Sequence, residues 1–181
     1  MPDNSVDYDD PEDGFGDVDE DDPDTQQGLI WNLLLLINPG DEESALRQFA
    51  AYRELAGETE REGQDWLWAL KDAIDWSAGF YVDGNDREAL IGAVDELAAR
   101  WNLHIDWGGD VDDEDFFEGH DAVSLLTLAD DRLREYGYSI WCWDTGNAFR
   151  AGWMARSRDD QDMQRLAAIL GIDLRPGSDP F

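Results

Sequence analysis

The sequence predicts an α+β fold, a small antiparallel sheet with several helices packed on one face, and two observations predict it. Six segments space their apolar side chains at helical intervals, and a stretch near residue 140 carries the signature of a β-hairpin. The 181 residues suit one domain with an appendage, and a 42% hydrophobic composition with nine tryptophans supplies a core.

Residues 1–27 hold 12 acidic and no basic side chains, with three prolines and few apolar anchors. Such a segment cannot bury enough surface to offset its ordering entropy, so it is expected to be a disordered acidic tail. A single domain is expected over 28–181. Its first helix is placed at 28–37, on the run Leu29–Ile37 stopped by Pro39-Gly40. A second, over 42–56, carries Ala45, Leu46, Phe49, Tyr52 and Leu55 on one face and is expected to end at Gly57. A third spans 62–76, with Trp66, Leu67, Leu70 and Ile74 on one side.

Phe80–Val82 is expected to be a short strand, followed by a turn in which Asn85 or Asp86 caps the next helix, 86–101. Leu103–Trp107 alternates and predicts a strand, and 108–119 an acidic loop. A helix over 121–136 is stopped by Gly137. Tyr138–Trp143, turned by Asp144–Asn147 into 148–155, is the hairpin. A last helix, 159–170, ends at Gly171, with 172–174 as an edge strand.

Charge bounds the partners. The formal charge is −31, of which residues 28–181 contribute −19, from 32 acidic against 13 basic side chains. Nucleic acids and anionic membranes are bound by Lys and Arg neutralising phosphates, so neither is an expected partner. A basic protein or a metal cation is the allowed kind. Cys142 is the sole cysteine, which excludes an intrachain disulfide. No secretory signal is visible, and the longest apolar run is too short to span a bilayer, so the expected location is the cytoplasm.

No catalytic residue set assembles from the sequence. Asp144-Thr145-Gly146 follows an apolar strand, as the catalytic triplet of aspartic proteases does, but that chemistry needs a second carboxylate about 3 Å away. An ordinary turn accounts for the triplet. The loop from Asp110 to Asp115 fails the EF-hand template, since Asp115 stands where Gly is needed and Asp121 where a bidentate Glu is usual. His104 and His120 have no ligand partner near in sequence, and His104 is expected to be half-buried on its strand. Cys142 lies mid-strand, away from any nucleophile elbow.

Two site expectations remain. In the first, Trp141 and Trp143 share one strand face, with Tyr138, Ile140 and Cys142 on the other. If that face is open, Asp106, Trp107, Trp141, Trp143 and Asp144 would form an aromatic and acidic patch for a basic protein. In the second, carboxylates near strand ends (Asp75, Asp83, Asp106, Asp110, Asp112 and Asp144) would hold Mg²⁺ or Ca²⁺ for a hydrolase or a metal-binding protein.

Trp68–Lys71 through Asp75-Trp76, Gly79–Asp83, Leu103–Trp107, and above all Tyr136–Tyr138 through Trp143–Gly146 resemble a bacterial family known as domain of unknown function 6630, over about residues 29–175. Asn147 stands where members of that family carry a second Gly after the turn. The resemblance implies a bacterial, cytoplasmic setting and no mechanism. Together these observations favour a non-catalytic acidic interaction protein that masks a basic partner, as immunity proteins and nucleic-acid mimics do. The alternatives are the metal-dependent reading and a housekeeping domain whose acidic surface serves solubility.

Overall fold

The computed structural model describes residues 25–62, 66–74 and 77–181. The expected tail therefore lies almost wholly outside the described residues, as do Asp65, Asp75 and Trp76. The described chain is α+β, with the order α1 Gln26–Ile37, α2 Glu42–Glu62, α3 Trp66–Ala73, β1 Gly79–Asp83, α4 Arg87–Ala99, α5 Glu114–Glu118, α6 Ala122–Arg134, β2 Tyr138–Trp143, β3 Phe149–Arg156, α7 Asp160–Leu170 and β4 Leu174–Pro176.

Capping explains most helix starts. The Thr25 hydroxyl accepts from the Gly28 amide at 3.1 Å and begins α1 two residues before its expected start. Asp41 accepts from the Ser44 amide at 3.0 Å ahead of α2, Asp86 from Ala89 at 2.9 Å, and Asp121 from Ser124 at 2.7 Å. Each such cap contributes about 1 kcal/mol. At the other end of α7, Gly171 takes a left-handed φ of 75°, a conformation cheap only for glycine.

The four strands form one antiparallel sheet in the order β1-β3-β2-β4. Trp141 faces Trp153 across the central pair. Gly152, beside them, is where a Cβ would collide with the Trp141 carbonyl oxygen. Successive residues of β2 point to opposite faces, and the two faces build two cores. Ile140 and Cys142 pack with α4, α5 and α6, around Leu90, Val94, Leu125 and Leu126. Trp141, Trp143 and Trp153 pack with α1, α2 and α3, around Ile30, Leu34, Tyr52 and Leu70. Helices thus cover both faces rather than one, which is why β2 is apolar on both sides.

Four elements differ from expectation. Within the expected loop 108–119, Glu114–Glu118 forms the short helix α5, started by the Asp113 cap. Helix α2 runs through Gly57, because a single Gly costs only about 1 kcal/mol in a long helix. Leu103–Trp107 is extended but joins no sheet. Its alternation is real, with Ile105 and Trp107 buried and His104 and Asp106 exposed; burial, not strand pairing, sets the period. His104 is correspondingly exposed instead of half-buried. Finally, the edge strand sits at 174–176, two residues later than expected, where Gly177 donates to the Ile140 carbonyl at 2.8 Å.

Candidate functional site

The acidic segment 106–121 is the most distinctive surface of the molecule. It carries eight carboxylates, Asp106, Asp110, Asp112, Asp113, Glu114, Asp115, Glu118 and Asp121, with no Lys or Arg, and all eight are exposed. The segment is nevertheless built, because apolar residues within it are anchored. Trp107 is 6% exposed and Phe117 8%, both inserted into the core beside α4 and α6. The Trp107 indole N–H donates to Asp95 of α4 at 3.0 Å.

Arg87, at the start of α4, clamps the far end. Its guanidinium donates to the Phe117 carbonyl and, at 2.9 Å, to the His120 carbonyl, and lies 5.3 Å from the centre of the Phe117 ring. His120 in turn stacks on Phe116 at 4.4 Å and donates from Nδ1 to the Phe116 carbonyl at 2.8 Å. Within the loop, carboxylates accept from nearby backbone amides: Asp106 from Gly108 at 2.9 Å, Asp110 from Asp112 at 3.0 Å, and Asp113 from Asp115 at 3.1 Å. Such turns fix the backbone locally. The hydrogen bond from the Ser124 amide is the main influence holding the Asp121 carboxyl below the usual carboxylate range. Asp95 goes the other way: burial raises it, against the Trp107 hydrogen bond and the charge of His104.

The expected aromatic patch is not an open surface. Trp107, Trp141 and Trp143 are 6%, 2% and 4% exposed, since helices close the face that Trp141 and Trp143 occupy. Asp106 and Asp144 are exposed but lie on different loops. Asp144 accepts from the Gly146 amide at 2.8 Å, and Thr145 and Asn147 bond within the same turn. The Asp-Thr-Gly triplet is thus a hairpin turn.

The carboxylates of the metal expectation scatter as well. Asp83 serves the turn into α4, accepting from Asn85 at 2.9 Å, while Asp110 and Asp112 stand on the acidic loop. Asp75 lies outside the described residues. Among the described residues, no three of His, Cys, Asp and Glu gather to hold an ion. Sequence reasoning missed Arg87 and Asp95, the two residues that hold the segment. The only signal was Phe116-Phe117, an apolar pair inside an acidic run.

Fold and surface together define an α+β domain with an anchored acidic segment. The chain belongs to the family described as domain of unknown function DUF6630, whose model matches residues 29–177. Comparison with curated proteins and with solved structures returns no match. No helix among the described residues is long and apolar enough to cross a membrane.

Proposed function

We propose that this chain is a non-catalytic, cytoplasmic acidic interaction protein that binds a basic protein through segment 106–121. The observation that supports the reading is the eight exposed carboxylates of a segment whose own sequence has no Lys or Arg, anchored from outside by Arg87 through its backbone carbonyls. Fixed charge of one sign attracts a complementary surface at long range and speeds association, in a salt-sensitive way. Anchoring by Phe117, Trp107 and Arg87 lowers the ordering entropy lost on binding. The aromatic patch on β2 has no part in the reading, because its rings are already used in the core. Masking of a basic surface, as by an immunity protein or a nucleic-acid mimic, is the corresponding biological role.

The test is capture from native bacterial lysate at low ionic strength. The full chain is compared with a variant carrying Asp110→Asn, Asp112→Asn, Asp113→Asn and Asp115→Asn. The reading expects a basic protein that is retained by the parent, elutes as salt rises, and is depleted on the variant. Equal recovery on both chains would contradict it.

A further inference from the structure

We propose that the free edge of β1 receives an extended, arginine-rich segment of the basic partner as a fifth strand. The proposal rests on the acidic reading above and specifies how the partner docks. Among the described residues β1 pairs with β3 alone. The Gly84 amide donates to the Ala148 carbonyl at 3.0 Å, just beyond the ladder. Alternation of an antiparallel ladder then makes Val82 and Phe80 the residues bonded to β3. The amides and carbonyls of Gly79, Tyr81 and Asp83 therefore point away from the sheet.

Their fates differ. Gly79 is buried, and Ile74 covers its sheet face, so this end of the strand is the less accessible one. The Asp83 carbonyl accepts from the Asp86 amide at 3.0 Å. The Tyr81 N–H, the Tyr81 carbonyl and the Asp83 N–H have no partner among the described residues, and they are the set an added strand uses. The opposite edge offers no equivalent. β4 is three residues long and ends in Pro176, which has no amide proton.

The surroundings select the occupant. A cavity of about 310 Å³ lies beside the edge, lined in part by Lys71, Asp72, Ile74, Tyr81 and Trp143. The Tyr81 ring stacks on Phe149 at 4.8 Å and already draws a cation, with Lys71 Nζ 4.6 Å from its centre. Asp83 and Asp86 are exposed beside the strand, while Asp72 is paired with Lys71 at 2.7 Å. Asp86 leads directly into Arg87, which grips the acidic segment. A second copy is disfavoured, because edge-to-edge pairing would join two chains of charge −31. A segment alternating Arg with aliphatic residues satisfies the free backbone groups and sets Arg beside the exposed Asp83 and Asp86, in a chain of strongly negative charge.

The probe is a synthetic eight-residue peptide of alternating Arg and Val, titrated into the full chain at low salt while amide hydrogen exchange is followed residue by residue. Saturation is expected to slow exchange at Tyr81 and Asp83 by about tenfold or more. Methylating every peptide nitrogen, which leaves its charge intact, is expected to weaken binding about tenfold or more. A peptide that binds but leaves both amides unchanged overturns the added strand and leaves the acidic reading standing. No binding at low salt also overturns it, and the capture experiment then decides the acidic reading separately. Amides that are slow without peptide and quicken on dilution would assign the edge to a second copy instead.

Discussion

At the scale of single residues, side chains that look reactive in the sequence are structural. Cys142 is 4% exposed within β2, and burial, followed by the charge of Asp130, pushes its thiol up to about 12. A neutral thiol is a poor nucleophile. Iodoacetamide at pH 8 is therefore expected to leave the folded chain unmodified and to alkylate it stoichiometrically in denaturant, as mass spectrometry would show. Rapid native labelling would contradict that placement.

Arg100 is the strongest polar tie. It donates to Asn38 at 2.7 Å, Asp41 at 2.8 Å and the Ser77 carbonyl at 2.9 Å, joining the α1–α2 turn to the end of α4 and the approach to β1. Its hydrogen bond, ahead of those from Ser44, holds the Asp41 carboxyl at about 2. Because the folded value lies below the unfolded one, Asp41 stabilises fully above about pH 4. That contribution is lost as pH falls towards 2. Acid titration is expected to show Asp41→Asn less stable than the parent at pH 6, with the gap closing below pH 3. A gap independent of pH would remove the ion pair from the account.

At the scale of elements, legibility followed locality. The hairpin 138–155 was legible because a period of two and a Gly/Asn turn lie within one short stretch, and the split of β2 into two faces follows from that period alone. Leu103–Trp107 was misread for the complementary reason: alternation records burial, and no local signal tells whether a partner strand has an empty place. Gly57 misled because a helix of 21 residues absorbs one unfavourable residue. The carboxylates of the candidate site were legible as a run of acid. Their anchoring was not, since Arg87 meets Phe117 and His120 across 30 and 33 residues of sequence. Arg87→Ala tests that anchor. Hydrogen exchange over 108–120 is expected to quicken severalfold with little change in the sheet, and capture of the basic partner is expected to weaken although no carboxylate has been removed. Unchanged exchange would mean that Phe117 and Trp107 suffice.

At the scale of the whole molecule, charge sets the behaviour. Over residues 28–181, acids outnumber bases by 32 to 13, so at least 19 carboxylates have no basic side chain to pair with one-to-one. Self-repulsion of this kind opposes compaction and is screened beyond about 10 Å at 0.1 M salt. The melting temperature is therefore expected to rise as sodium chloride increases from 10 mM to 0.5 M. A flat or falling curve would show that the surface charge is structurally neutral.

The most direct measurement of the central claim is the affinity of the captured basic partner as a function of salt, for the parent and for the chain with Asp110, Asp112, Asp113 and Asp115 changed to Asn. The account predicts a steep loss of affinity with rising salt for the parent and a markedly shallower slope for the variant, with weaker binding at low salt. Parallel lines of equal affinity would contradict it, because the partner would then be held by some surface other than segment 106–121.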